Sequence, residues 1–353
     1  MMEMVVNGRF LCRPTLGVDR VARELVAALL ARRDAPALRA LHPEAEAWDV
    51  PAALSATAVP GPGSGALWEQ AALARATEGR WCLSLCNTGP LALRRQVVML
   101  HDAQAWDAAE SYRPAFRRWY RWLQPRLARR AALVLTVSQH SRARLERHGV
   151  VPEGHAQVIP NGADHILRTD ADPRILERHD LQRRGFFLTL GAQARHKNLA
   201  LAIDAHRLSP ERLPLVIAGG GGSVFAGHET PDPPGVLRIG RVSDAELRAL
   251  YEHAAGFLMP SRTEGFGLPA LEAMLCGCPV LASTGGALPE TCGEAAVLLD
   301  PDAPEAWSRK MTRLLRAPSH AAALSEAGRA HARRYTWAAS AERLARHLAA
   351  LPS

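Results

Sequence analysis

Lysine is nearly absent from this chain. Lys197 and Lys310 are the two lysines among 43 basic residues, so the other 41 are arginine (43 − 2). Richness in arginine, alanine, leucine and proline beside scarce lysine reads as GC-rich codon usage. An arginine therefore says little about chemistry here, and a lysine says more. Cysteine is scarce too: six in 353 residues exclude a disulfide-stapled scaffold. There is no run of about eighteen apolar residues to cross a bilayer as a helix. The opening MMEMVVNGRF lacks a charged segment followed by a long apolar stretch, so no secretory signal is read there, and a soluble cytoplasmic protein with reduced thiols is expected. An apolar fraction of 48% with 22% charged residues excludes a disordered chain, and the length predicts two domains. The net charge of +8 is uneven: residues 1–170 hold 22 basic against 16 acidic residues, and the remainder 21 against 19. A basic first half suits an anionic lipid or a phosphorylated substrate. Nucleic acid is not expected, because no recognised binding motif accompanies the charge.

Short apolar runs alternate with longer amphipathic stretches. Strands are predicted at Met4–Val6, Leu38–Leu41, Cys82–Cys86, Val97–His101, Leu133–Val137 and Gln157–Ile159. A second series follows at Phe186–Leu190, Leu215–Ala218, Val236–Ile239, Gly256–Met259, Pro279–Ala282 and Ala296–Leu299. Helical patterns lie between many of them, including Gly17–Arg32, Ala115–Arg130, Leu199–Arg207, Asp244–His253 and Leu268–Leu275. Such alternation predicts an α/β fold with parallel sheets. Two series predict two Rossmann-like domains facing an interdomain cleft, spanning 1–167 and 168–336. The helical pattern from Trp337 to the end puts Trp337, Leu344 and Leu348 on one face.

The most informative stretch runs from Met259 to Ser283. A strand ends near Pro260, and a loop with Gly265 and Gly267 follows. Pro269 suits the first turn of a helix, where its missing N–H costs nothing. The amides of Gly267 and Leu268 then sit at a positive helix end, an anion site suited to a diphosphate. Glu264 lies in the loop and Glu272 about one turn beyond Pro269. A carboxylate there can accept from two vicinal hydroxyls, as on a ribose. Phosphates on the dipole and hydroxyls on the acids suit a nucleotide sugar. The plainer alternative is that both acids merely favour a helix N-terminus.

The spacing Glu264-x7-Glu272 resembles the signature of retaining glycosyltransferases of family 4, which have the GT-B fold. The resemblance runs along nearly the whole chain. It includes Asn7-Gly8-Arg9-Phe10, Thr15-Leu16-Gly17-Val18, His101-Asp102 and Pro160-Asn161-Gly162-Ala163-Asp164. It continues through Gly191, Lys197-Asn198-Leu199, Gly240-Arg241-Val242-Ser243 and Pro289-Glu290-Thr291-Cys292-Gly293. Within the family it is most similar to bacterial mannosyltransferases of surface-polysaccharide assembly.

The resemblance implies roles residue by residue. Lys197 would neutralise the leaving diphosphate, Glu272 would bind the ribose, and Glu264 the donor sugar hydroxyls. Gly265, Phe266, Gly267 and Leu268 would line sugar and phosphate, and Arg241 and Val242 would border the base. Gly17 and Gly191 would let backbone approach the donor. His101 would lie beside the reacting sugar, with catalysis assigned to His101, Lys197 and Glu264. Asp102 would orient His101 or contact the acceptor. Apart from the resemblance, Arg13 just before the glycine loop is placed to reach an anionic acceptor, with a plain surface arginine as the favoured alternative. The family often carries a second cation after the glycine; here Ala192 stands there, and Arg195 or His196 would replace it. The C-terminal helix 337–353 would return to the first domain. Neither cofactor nor metal is implied. The expected partners are a nucleoside diphosphate sugar, with GDP-mannose first, and a glycan or polyprenyl-linked acceptor.

Tyr112–Arg130 has aromatic and leucine positions at helical spacing with arginines between them, and Pro125 predicts a kink or break. An interfacial helix on an anionic membrane surface is one reading. A core-packed helix with a solvated arginine face is the other, and it is favoured. A UDP- or dTDP-sugar transferase and a catalytically degenerate nucleotide-sugar binder remain alternatives. A dinucleotide-dependent oxidoreductase fits poorly, since no Gly-x-Gly-x-x-Gly follows the first strand.

Overall fold

The computed structural model describes residues 3–15, 17–191, 194–220 and 233–352. The chain divides into two units. The first holds residues 1–103, 118–162 and 337–353, and the second holds 104–117 and 163–336. The second unit thus takes up the chain again at Ala163, and no pattern in the sequence signals that Gln104–Arg117 groups with it.

In the first unit the described strands are β1 (Glu3–Asn7), β2 (Ala37–Pro43), β3 (Ser55–Val59), β4 (Trp81–Ser84), β5 (Gln96–Met99), β6 (Leu133–Thr136) and β7 (Ala156–Val158). They form one parallel sheet in the order β3-β2-β1-β4-β5-β6-β7. β1, β4 and β5 read as apolar runs because helices cover both faces of a parallel sheet. β3 escapes a reading of apolar runs. It is a half-exposed Ser-Ala-Thr-Ala-Val edge strand with no continuous apolar run. The helix Gly17–Leu30 packs on the C-terminal helix Trp337–Ala349, which buries Trp337, Leu344 and Leu348.

In the second unit the described strands are β8 (Phe187–Leu190), β9 (Leu215–Ala218), β10 (Val236–Gly240), β11 (Gly256–Met259), β12 (Val280–Ser283) and β13 (Val297–Leu299). Their order is β10-β9-β8-β11-β12-β13, again parallel. The core beneath the sheet gathers Phe187, Leu215, Leu258 and Leu281 with Trp307 and Met311 of the helix Pro304–Arg316. Chain order reverses between β8 and β11. Ligands of open α/β sheets bind at the carboxyl ends of strands flanking such a reversal.

Pro125 does not break its helix, which runs unbroken over Pro114–Arg130. A proline disturbs hydrogen bonds to carbonyls of the preceding turn. Pro125 has no N–H for the Arg121 carbonyl four residues back; the neighbouring Trp122 carbonyl accepts from the Arg126 guanidinium at 2.7 Å.

Candidate functional site

Two loops grow from the carboxyl ends of β8 and β11, the neighbouring strands at the reversal in the second unit. Gly191 follows β8. A Cβ there would stand 2.4 Å from Leu199 Cδ1, so the glycine lets the Leu199 side chain pack directly on the strand end. The loop then reaches the turn Arg195–Lys197, after which Asn198 is left-handed (φ 53°) and opens the helix Leu199–Leu208. Ala192, where a second cation was sought, lies outside the described residues.

The β11 loop runs from Pro260 to Gly267 and opens the helix Leu268–Leu275, with Pro269 in its first turn. Gly267 is left-handed (φ 97°), and a Cβ there would meet Leu288 Cδ2 at 2.6 Å. The position admits glycine because it combines left-handed backbone with close packing. The first amides of a helix lack intrahelical partners, so this end favours an anion.

The two loops are stitched together. Arg262 N–H donates to the His196 carbonyl at 2.8 Å. Asn198 Nδ2 donates to the carbonyls of Pro260 at 3.1 Å and Pro301 at 2.8 Å. The stitching places Lys197 Nζ 2.7 Å from Glu264 Oε1. Burial raises the Glu264 carboxyl, but Lys197, His196 and Ser261 outweigh it, and the group titrates below its ordinary range. Gly285 and Gly286 back this loop. A Cβ on Gly286 would stand 2.2 Å from the Glu264 nitrogen, and Ala287 N–H donates to the Glu264 carbonyl at 2.9 Å. Burial, then Lys197, lowers His196 to about 4, so its ring is neutral at pH 7. Arg195 beside it is exposed.

Glu272 lies on the inner face of its helix and is buried. Its Oε1 is 3.0 Å from His165 Nε2, and its Oε2 accepts from the Tyr251 hydroxyl at 3.3 Å. Gly265 and Phe266 are buried, and Phe266 packs edge-on against Tyr335 at 5.9 Å. Leu268 is half-buried. Arg241 is exposed and Val242 half-buried, in the turn after β10.

The remaining candidates belong to the first unit. His101 follows β5 and is buried. Its Nε2 lies 2.7 Å from the Leu85 carbonyl, which only accepts, so Nε2 carries the proton. Burial lowers the ring to about 4 against the opposing pull of that carbonyl. At pH 7 His101 is thus neutral, and Nδ1 is its accepting nitrogen. Its backbone N–H donates to Asn87 Oδ1 at 2.7 Å. Asp102 is half-buried. Gly17 is left-handed (φ 28°) and exposed at the start of its helix. Arg13 pairs with Asp19 on the first turn of that helix.

Sequence reasoning missed Asn198, Gly285, Gly286, His165 and Tyr251 as site builders. It also missed Glu69, buried in a π-helical turn and accepting from Asn7 at 2.6 Å, Thr88 at 2.9 Å and Arg9 at 3.0 Å. A glycine pair one residue beyond a strand was a usable signal for Gly285-Gly286. The others act through tertiary contacts that no spacing announces.

Residues 16–166 match the family described as Glycosyltransferase Family 4, and residues 173–331 match the one described as Glycosyl transferases group 1. O-antigen chain mannosyltransferase B of Escherichia coli is 32% identical over 263 residues, covering 70% of this chain and 68% of that protein. The chain belongs to glycosyltransferase family 4. The MMP alpha-(1->4)-mannosyltransferase of Mycolicibacterium hassiacum is 31% identical, covering 72% of this chain and 64% of that protein. Among solved structures, WaaG, a glycosyltransferase involved in lipopolysaccharide biosynthesis, superposes with a TM-score of 0.73 at 16% identity over 99% of this chain and 100% of that one. That likeness is one of fold, and the fold is GT-B. No helix among the described residues is long and apolar enough to cross a membrane.

Proposed function

We propose that this family 4 enzyme moves a mannosyl unit from GDP-mannose to a glycan or lipid-linked glycan of a surface polysaccharide, with retention of configuration. The mannosyl and polysaccharide parts draw support from the mannosyltransferases above. The observation that carries the donor reading is the Lys197–Glu264 pair beside the Gly267–Leu268 helix start. The two stitched loops then bring together a cation, a carboxylate and a positive helix end. The first and last suit a departing diphosphate, and the carboxylate suits sugar hydroxyls.

In this reading Lys197 turns part of its charge from Glu264 to the diphosphate as the glycosidic bond breaks. The amides at Gly267 and Leu268 share that charge, so the resident cation and dipole do the work without a metal. Glu264, held ionised, accepts from the sugar hydroxyls and favours positive charge at the anomeric carbon. The acceptor hydroxyl attacks the face the diphosphate leaves and passes its proton to the departing phosphate oxygen, so no covalent nucleophile is required. His101, carried over from the family resemblance, offers the neutral Nδ1 as an acceptor for a sugar hydroxyl. Glu272 takes the ribose. NMR of the product linkage formed from GDP-α-mannose and a bacterial lipid-linked glycan extract tests this. An α-linkage with one GDP released per transfer is expected. A β-linkage contradicts retention, and transfer from a UDP-sugar alone contradicts the donor.

A peripheral membrane location is the second part of the reading. The helix Pro114–Arg130 carries six arginines and no acid. Trp122 is 44% exposed, stacks on Trp119 at 5.3 Å and has the Arg126 guanidinium 4.7 Å from its ring centre. A half-exposed indole capped by a guanidinium on an arginine-rich helix suits the interface of an anionic bilayer. Sedimentation with phosphatidylglycerol vesicles, lost in Trp122→Ser, is the expected result. Equal sedimentation with neutral vesicles contradicts it.

A further inference from the structure

We infer that His165 and Tyr251 are positioning residues that fix the Glu272 carboxylate, and that this clamp lets the chain tell a ribonucleotide from its 2′-deoxy counterpart. The inference rests on the ribose reading of Glu272 proposed above and adds to it the residues that make the reading selective.

The three side chains come from three separate elements. His165 lies in the turn Asp164–Leu167, just inside the start of the second unit at Ala163. Tyr251 lies on the helix Asp244–His253, which follows the turn holding Arg241 and Val242. Glu272 projects from the helix that carries the anion-binding end. The side chains of His165 and Glu272 are 3% and 8% exposed, and Tyr251 is fully buried. A carboxylate only accepts, so His165 Nε2 is the protonated nitrogen and donates to Oε1, while the Tyr251 hydroxyl donates to Oε2. Burial, then Glu272, raises the Tyr251 phenol well above its ordinary range, keeping it a neutral donor. Phe257 of β11 packs edge-on against the Tyr251 ring at 5.3 Å, which holds the hydroxyl in place.

Each carboxylate oxygen is thus gripped once. A carboxylate has about four lone-pair sites. Among the described residues two are used here, which leaves one on each oxygen. That remainder matches two vicinal hydroxyls, provided the carboxylate cannot rotate. Rotation would cost one of the two grips, so the acceptor pair is ordered before any ligand arrives. A ligand lacking one hydroxyl strands one buried acceptor, and such a site rejects it strongly.

The test measures Kd by calorimetry for GDP and UDP, each beside its 2′-deoxy counterpart. The proteins are the full chain and its His165→Ala, His165→Gln and Tyr251→Phe variants. The native chain is expected to prefer the ribonucleotide it binds by roughly tenfold or more. That ratio should fall to about threefold or less in His165→Ala and Tyr251→Phe, and recover in His165→Gln, which keeps an N–H donor. A partly unfolded sample binds both nucleotides less and leaves the ratio unchanged, so a merely structural role does not move it. Should His165→Ala fail to fold, the near-isosteric Tyr251→Phe carries the test. A strong preference in the native chain that persists in the variants overturns the clamp and leaves the ribose reading intact. No preference in the native chain, or no binding of either ribonucleotide, overturns the ribose reading and the clamp with it.

Discussion

Lys197 Nζ and Glu264 Oε1 lie 2.7 Å apart, joining the loops that leave β8 and β11. The carboxylate end is buried and the ammonium a quarter exposed. Removing the lysine alone leaves a buried charge unpaired, which costs on the order of 3–5 kcal/mol when burial is complete and less for this partly exposed pair. Lys197→Met should therefore lower both Tm and turnover, the latter by roughly tenfold or more. Lys197→Met with Glu264→Gln should recover much of the Tm and none of the turnover. Calorimetry and a transfer assay on the same samples separate the two. Recovery of turnover in the double variant would show that the pair is structural.

Gly267→Ala introduces a Cβ into left-handed backbone and against Leu288. The backbone term alone is about 1–2 kcal/mol. The expected outcome is a lower Tm together with weaker nucleoside diphosphate binding, because the helix end that meets the phosphates must shift. Chemical denaturation and calorimetry check it. Unchanged affinity in a destabilised variant would remove the helix end from the donor site.

Stability should fall as pH drops from 6.5 towards about 4, because burial lowers His101 and His196 to about 4 in the fold. Across that window the unfolded chain binds more protons than the native one, so stability rises with pH. Each histidine adds a slope of about 1.4 kcal/mol per pH unit. Glu264 acts in the same direction at the acid end: its lowered carboxyl gives stability that is lost as pH falls through its folded value. His101→Asn should flatten the slope by one histidine's share, read from urea melts at several pH values. Parallel curves for variant and native chain would mean that His101 is not buried neutral.

Chelation should leave transfer unchanged, since Lys197 and the Gly267–Leu268 amides are proposed to carry the leaving charge. Initial rates with and without EDTA test this. Abolition by EDTA and recovery with magnesium would assign that charge to a metal instead.

Much of this was legible in the residues. The apolar runs of the central strands follow from burial on both faces, and Gly265, Gly267 and Pro269 around Glu264 announce a strand–loop–helix turn. β3 was not legible, because an exposed edge strand needs no apolar run. The unbroken helix over Pro125 was not either, since a proline inside a helical pattern reads locally as a break. Glu272 could be picked from its spacing to Glu264, but its partners His165 and Tyr251 could not. They come from two other elements and meet it only through tertiary packing.

The most direct test of the donor reading is a thermal-shift panel of GDP-mannose, UDP-glucose, UDP-N-acetylglucosamine, dTDP-rhamnose and NAD. A ligand that binds the native state raises Tm by mass action. The account predicts a selective rise with GDP-mannose that is much reduced in Glu272→Ala. A rise with NAD alone, or none with any nucleotide sugar, would contradict it.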